Sequence, residues 1–209
     1  MKEHPLNGDM NWIIPGKILG FAGPTEEVYT VEEFADFAVR NNIKTVVRLN
    51  RVHYDAKVLA AKGVDHHEMF MHDGGIPSLQ QIDEFYILAE AAWKSGAMAV
   101  HCRAGLGRTG TMIATFLIKK FKLQAAEVIA YLRMMRPGSV LGMQARFLDS
   151  IQYMLRGEET PIEAQPFLNG YYPDHFHTFT VSSDTDSRES ENENEKGLKV
   201  CISGTVRAK

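Results

Sequence analysis

The chain has 209 residues, 44% of them hydrophobic, a formal net charge of −3 and a pI near 6.2. This length and composition predict one folded domain with an appendage, and the near-neutral balance argues against a nucleic-acid binder. Its two cysteines, Cys102 and Cys201, exclude a disulfide framework or zinc cage and favour an intracellular, cytoplasmic or nuclear compartment. The opening residues contain no apolar signal segment, and no apolar run is long enough to span a membrane.

Short β-like runs alternate with helical patterns through residues 10–156, which predicts an α/β fold whose mostly parallel, twisted central sheet is flanked by helices. The predicted strands cover residues 18–22, 45–49, 64–70 and 97–101. Capping boxes, formed by Thr30 with Glu33 and by Ser78 with Gln81, precede the first two predicted helices. The predicted helices cover residues 31–42, 79–96, 109–121 and 125–137.

The acidic stretch 182–196 has no aliphatic or aromatic residue and carries six acids against two bases, so we expect it to be disordered. The rest of the chain holds 21 bases and 20 acids, which leaves the folded part nearly neutral. We therefore divide the chain into a domain at 8–157, an irregular extension at 158–181, a disordered linker at 182–196 and a terminal segment of unknown role at 197–209.

The stretch HCRAGLGRTG, residues 101–110, lies between a predicted strand and a predicted helix. Open α/β sheets bind their ligands at this carboxyl end of a buried strand. A glycine-rich loop opening a helix can turn its backbone N–H groups inward to hold an anion, and glycines supply the backbone freedom that this needs. The residues predicted to hold a phosphate are Cys102, Arg103, Ala104, Gly105, Leu106, Gly107 and Arg108.

The side chains of this stretch suggest nucleophilic chemistry at a bound phosphate. The planar guanidinium of Arg108 can bind two oxygens of a phosphate at once. That guanidinium, the inward amides and the helix N-terminus all favour the thiolate of Cys102, and Thr109 can donate its hydroxyl to the sulfur. A lone C-x5-R pattern would also fit an inert buried cysteine near a surface arginine. The complete set of flanking residues favours the nucleophile instead.

The same stretch resembles the signature loop of the cysteine-dependent protein tyrosine and dual-specificity phosphatases. Segments 8–24, 46–57, 71–78 and 136–144 resemble the catalytic domain of the mitotic-exit phosphatases of the cell-division-cycle fourteen type. The resemblance implies a protein tyrosine phosphatase-like fold and a dual-specificity protein phosphatase. It also implies that Cys102 forms a phosphocysteine that water then hydrolyses, without metal or cofactor.

The family also supplies an aspartate that protonates the leaving group from a mobile loop upstream of the cysteine. Asp73 fits this role, because the HDGGIP stretch around it has the glycines and the proline of a hinged connection. A plain turn is the alternative reading. Asp55, at a helix start, and Asp65, in a strand, are the competing acids.

Three further assignments concern supporting residues. Gln144 matches the family glutamine that orients the hydrolytic water, with an exposed turn residue as the alternative. His101 is expected to brace the loop by hydrogen bonds rather than to exchange protons with substrate. The pair His66 and His67 could suggest a metal, but alternation along a strand predicts one core and one surface histidine and no metal site.

The expected partners are phosphoprotein substrates carrying phosphotyrosine, phosphoserine or phosphothreonine, and the oligomeric state stays open. Larger family members carry an amino-terminal domain and an acidic linker that recognise a phosphoserine-proline site. Here only MKEHPLNGD precedes the matching region, so the substrate preference also stays open.

Three alternative functions remain. A phosphoinositide phosphatase would carry lysines where this loop has Arg103 and Leu106. An RNA 5′-triphosphatase would need a strongly basic surface. A non-catalytic phosphoprotein-binding module would be expected to lack either the cysteine or the acid.

Overall fold

The structure is a computed structural model that describes residues 9–161, which fall within the first of two compact units, Met1–Phe176. Within these residues, strands and helices alternate as predicted. The elements in chain order are β1 (Met10–Ile14), β2 (Ile18–Ala22), α1 (Val31–Arg40), β3 (Ile43–Arg48), α2 (Lys57–Ala60), β4 (Asp65–Glu68), α3 (Leu79–Ser95), β5 (Ala97–Cys102), α4 (Gly107–Phe121), α5 (Ala125–Met135) and α6 (Met143–Arg156).

The five strands form one sheet in the order β1-β2-β5-β3-β4. β5 runs parallel to both of its neighbours, and β3 and β4 are also parallel. β1 pairs antiparallel with β2. The predicted, mostly parallel sheet is therefore confirmed, and all six residues of its central strand β5 are buried.

Helices cover both faces of the sheet because successive strand residues point to opposite sides. Leu19, Phe21 and Val46 pack with Phe34 of α1 and Leu59 of α2 in one hydrophobic cluster. The other face packs against α3 to α6, whose buried members include Phe85, Phe116, Leu132 and Phe147. Two apolar layers thus enclose the sheet and fix the end of β5 between them.

Both predicted capping boxes are present. The Glu33 amide donates to Thr30 Oγ1 at 3.3 Å, and Thr30 N donates to Glu33 Oε2 at 2.9 Å. Ser78 and Gln81 make the same pair of bonds at 3.2 and 2.9 Å. These local signals place the starts of α1 and α3 correctly.

Several predicted boundaries need correction. α4 begins at Gly107 rather than at residue 109, and β4 is shorter than the predicted 64–70. β1 and α6 were not predicted, and the helix expected to start at Asp55 is the short α2, which begins at Lys57. The pattern of α6 is nevertheless in the sequence, since its buried residues follow helical spacing; they include Gln144, Phe147, Leu148, Ile151 and Leu155.

The predicted extension is described only as far as residue 161, and the segments 182–196 and 197–209, with Cys201, lie outside the described residues. No helix between residues 9 and 161 is long and apolar enough to cross a membrane.

Candidate active site

The loop between β5 and α4 holds the predicted phosphate-binding residues. β5 ends at Cys102, whose side chain is buried as a free thiol. α4 begins five residues later, so Arg108 already lies in its first turn. The loop therefore joins the carboxyl end of the central strand to a helix N-terminus, the arrangement predicted from the sequence.

Gly105 allows this loop to press against the neighbouring strand. Its φ is +68°, and a Cβ atom placed on it would lie 1.9 Å from the carbonyl oxygen of Phe21 in β2. No side chain fits at that distance. The turn that curls the loop back over Cys102 therefore depends on this glycine.

Arg136 fixes the phosphate loop through hydrogen bonds to its backbone. Its buried guanidinium donates to the carbonyl oxygens of Gly105 at 2.7 Å and Ala104 at 2.8 Å. The same group donates to the side chains of Asp9 at 2.8 Å and Asn11 at 2.6 Å. Because two loop carbonyls are held toward Arg136, the loop is fixed before any anion binds. No sequence pattern predicted this role for Arg136, which lies in one of the segments that resemble the family's catalytic domain.

Arg108 and Asp73 are in contact. Arg108 Nη2 lies 2.9 Å from Asp73 Oδ1, and Nη1 donates to the Met71 carbonyl at 3.1 Å. The guanidinium is 7% exposed, whereas the Asp73 side chain is 88% exposed. The Asp73 carboxylate therefore lies on the solvent-exposed side of the site and forms an ion pair with Arg108 of the loop.

The two competing aspartates lie elsewhere. Asp55 accepts a hydrogen bond from the Lys57 amide at 2.9 Å, next to the start of α2. Asp65 is the exposed first residue of β4. Of the three candidates, Asp73 is the one whose carboxylate reaches the loop.

Gln144 lies in the first turn of α6 and is fully buried, so its interpretation as an exposed turn residue is wrong. Its Nε2 donates to the Gly75 carbonyl at 2.9 Å, and its Oε1 accepts from the Leu141 amide at 3.1 Å. A Cβ atom on Gly107 would lie 2.9 Å from that Oε1. The amide therefore lies between the phosphate loop and the segment that carries Asp73.

Thr109 is buried beside the loop, but its hydroxyl makes no hydrogen bond to any residue between 9 and 161. The predicted interaction of this hydroxyl with Cys102 is thus not formed in this structure. A buried hydroxyl without a partner is costly. Its role in the reaction stays a prediction.

His101 is fully buried and belongs to a chain of hydrogen bonds that reaches β4. Its Nδ1 lies 3.0 Å from the Cys102 carbonyl oxygen, and its Nε2 lies 2.7 Å from the Tyr54 hydroxyl. That hydroxyl is 3.0 Å from His66 Nε2. Because a carbonyl only accepts, Nδ1 carries the proton, Tyr54 donates to His101 and His66 donates to Tyr54. These hydrogen bonds hold the end of β5, where the loop begins, and the bracing of the loop by His101 stays a prediction.

Burial keeps both histidines of this chain neutral. Desolvation lowers the pKa of His101 to about 3 and that of His66 to about 4. Desolvation also raises the pKa of the Tyr54 phenol, which stays a donor. His66 and His67 are both half buried, so the prediction of one core and one surface histidine is wrong. Residues 9–161 contain no group of three or more His, Cys, Asp or Glu side chains arranged to hold a metal ion.

These pKa shifts predict acid sensitivity. Below the ordinary histidine pKa of about 6.5 the unfolded chain binds protons that folded His101 and His66 do not, so the free energy of unfolding falls as the pH falls. One such histidine gives a slope of about 1.4 kcal/mol per pH unit. Urea unfolding between pH 7.5 and pH 5 measures this slope. His66→Gln should make it shallower, and an equal slope in wild type and variant would contradict the assignment.

Comparison with known proteins identifies the family. A family model described as "Polymorphic toxin system, DSP-PTPase phosphatase" matches residues 20–122. The dual specificity protein phosphatase CDC14B of Mus musculus is 41% identical over 176 residues, which cover 75% of this chain and 36% of the mouse protein. The chain belongs to the dual-specificity protein phosphatases. The tyrosine-protein phosphatase cdc-14 of Caenorhabditis elegans is 43% identical over 154 residues, 70% of this chain and 21% of that relative. The chain thus spans about a third of the length of the mouse relative and about a fifth of the length of the nematode relative.

Two solved structures share the fold of this chain. Tk-PTP in its active form matches with a TM-score of 0.58 at 24% identity, covering 66% of this chain and 92% of that one. PTPMT1 matches with a TM-score of 0.62 at 20% identity, covering 71% and 96%. The predicted protein tyrosine phosphatase-like fold is therefore confirmed.

Proposed function

We propose that this chain hydrolyses phosphate monoesters on proteins, at phosphotyrosine, phosphoserine or phosphothreonine, through a phosphocysteine intermediate. The observation that carries the proposal is the convergence of Cys102, Arg108 and Asp73 at one end of β5, with Arg108 in contact with the acid. A nucleophile, an anion-binding fork and a proton donor at one place are what this reaction needs.

In the first step, the substrate phosphate occupies the loop and takes the guanidinium of Arg108 from Asp73. The Cys102 sulfur attacks phosphorus and the S–P bond forms as the bond to the leaving oxygen breaks. Asp73 gives that oxygen its proton, and the loop amides stabilise the charge on the other phosphate oxygens.

In the second step, water attacks the phosphorus of the phosphocysteine. Asp73, now a carboxylate, takes a proton from the water as the P–S bond breaks. The thiolate is restored and inorganic phosphate leaves. The buried amide of Gln144 borders this space, because its Oε1 lies 2.9 Å from the point that a Cβ atom on Gly107 would occupy. We assign to this amide the orientation of the attacking water. The unpartnered Thr109 hydroxyl is the donor that we assign to the departing sulfur.

The substrates that we propose are intracellular phosphoproteins of the cytoplasm or nucleus, where a cysteine such as Cys102 persists as a thiol. The CDC14 relatives are named dual specificity and tyrosine protein phosphatases, which supports protein substrates. A solved structure titled PTPMT1 in complex with PI(5)P has the same fold at 20% identity. A phosphoinositide is therefore the alternative substrate to test.

A panel of substrates tests the function. Release of inorganic phosphate is measured with phosphotyrosine peptides, phosphoserine-proline peptides and a phosphoinositide, and Cys102→Ser serves as the blank. Turnover of either peptide class above the blank is expected. Turnover of the phosphoinositide alone would overturn the assignment of protein substrates.

Asp73→Asn provides a test of the proton donor. An asparagine of the same size cannot donate that proton, so cleavage of an alkyl phosphate should slow by ~10²–10⁴. An activated aryl phosphate, whose leaving oxygen needs no proton, should be cleaved at a rate much closer to wild type. Equal losses on both esters would move the acid elsewhere, and Asp55→Asn and Asp65→Asn would be the next variants.

A further inference from the structure

The turn that carries Asp73 is short and exposed. It spans residues 72–75 and is closed by a hydrogen bond from the Gly75 amide to the His72 carbonyl at 3.0 Å. Gly74 has a φ of +69° and open space around its Cα. Such a turn is easily displaced, so its position over the loop depends on the contacts that other elements make with it.

Other elements contact this turn and Met71 just before it. Arg108 contacts the Met71 carbonyl and the Asp73 carboxylate, and the Met71 amide donates to the Leu49 carbonyl at 2.9 Å. Gln144 contacts the Gly75 carbonyl. The segment is thus held at its beginning by Leu49 and Arg108, at Asp73 by the phosphate-binding arginine, and at its end by an amide that carries no charge.

Substrate binding redistributes these contacts. A guanidinium that takes two phosphate oxygens has fewer N–H groups left for Met71 and Asp73. The bond from Gln144 to Gly75 does not compete with the phosphate. Phosphate binding therefore gives no reason for this bond to break when Asp73 must be in place to give its proton.

Gln144 can hold the acid turn because its own side chain is fixed in place. Its side chain is fully buried, and its Oε1 is fixed by the Leu141 amide. With the oxygen engaged in this way, Nε2 points at the acid turn. The amide is therefore set in place by the start of α6 and not by the substrate.

We propose that Gln144 is a positioning residue for the first step: its amide holds the acid turn over the phosphate loop while Arg108 binds the substrate. This proposal rests on the proposed phosphatase function. The bond from Nε2 to Gly75 serves the first step, and the orientation of water assigned above belongs to the second step.

The test is a single-turnover experiment with enzyme in excess, which separates the two steps. Release of the leaving group reports the first step, and release of inorganic phosphate reports the second. Gln144→Met keeps the length of the side chain and removes the donor. We expect leaving-group release from an alkyl phosphate to slow by about tenfold to a hundredfold, a part of the general-acid effect of ~10²–10⁴, with little change for an activated aryl phosphate.

A double variant and a matched control complete the design. Asp73→Asn combined with Gln144→Met should release the alkyl leaving group no more slowly than Asp73→Asn alone, because both changes remove the same proton transfer. Gln152 is a second buried glutamine of α6, and it accepts from the Ala125 amide at 3.0 Å, at the start of α5. Gln152→Met should lower the melting temperature without any dependence on the leaving group.

Several outcomes would overturn the proposal. If Gln144→Met slows only phosphate release, Gln144 acts in the second step alone. If it slows leaving-group release equally for both esters, its role is structural, and Gln144→Glu, which also lacks the donor, should repeat that result. A wild-type chain that releases no leaving group from either ester would instead overturn the phosphatase function itself.

Discussion

Cys102→Ser is expected to abolish turnover while phosphate-ester binding persists. The alcohol is almost never ionised near neutral pH, so the attacking group is lost. The serine side chain fits the same buried position, and Arg136 still holds the carbonyls of Gly105 and Ala104. The loop amides and Arg108 should therefore keep their positions around the phosphate.

Two measurements on one protein preparation check this expectation. Phosphate release should fall to background. Titration calorimetry of the variant with a phosphotyrosine peptide should give a dissociation constant close to that of the wild type, which is measured under conditions where the wild type turns over a negligible amount of peptide. Residual hydrolysis above a few per cent of the wild-type rate would remove Cys102 as the nucleophile. Loss of binding together with turnover would instead show that the sulfur supports the shape of the loop.

Arg108→Lys should be nearly as damaging as removal of the side chain, despite the retained positive charge. The guanidinium uses separate nitrogens for Met71 and Asp73, and the same fork is proposed to take two phosphate oxygens. An ammonium is a point charge and cannot do both. We expect kcat/KM to fall by about 10²-fold or more, the loss typical of removing one preorganised donor.

Arg40→Lys is the matched control, because Arg40 is an exposed residue in the last turn of α1. It should leave kcat/KM unchanged. For Arg108→Lys the loss should include weaker binding of inorganic phosphate as a competitive inhibitor. A variant that keeps both its rate and its phosphate affinity would contradict the role given to the fork.

The parts of the site that could be predicted from sequence are those encoded by neighbouring residues. The strand, the glycine-rich loop and the helix that follow one another around Cys102 are contiguous, and their order alone indicates an anion site. The capping boxes at Thr30 and Ser78 are equally local. Asp73 was singled out by the glycines beside it, and the structure brings its carboxylate to the loop, although its chemical role remains a prediction.

The contacts that the sequence did not reveal join residues far apart in the chain. Tyr54 meets His101 across 47 positions, Gln144 meets Gly75 across 69, and Arg136 meets Asp9 across 127. Tyr54 and Arg136 carry no local pattern that distinguishes them from a surface tyrosine or arginine. Their partners are chosen by the topology of the sheet and the packing of α5 and α6, which a reading of neighbouring residues cannot supply.

The hydrogen bonds of Arg136 have a consequence for the order in which the molecule folds. They join the beginning of β1, the phosphate loop and the end of α5, so they can form only when β1 and α5 have both docked. Contacts of such long sequence separation form late, because the chain between them must first be ordered. We expect an intermediate with its helices formed but β1 still detached to leave the carbonyls of Gly105 and Ala104 free. In that intermediate the loop amides would not yet be arranged to bind an anion. Only the fully folded protein would therefore have a working site.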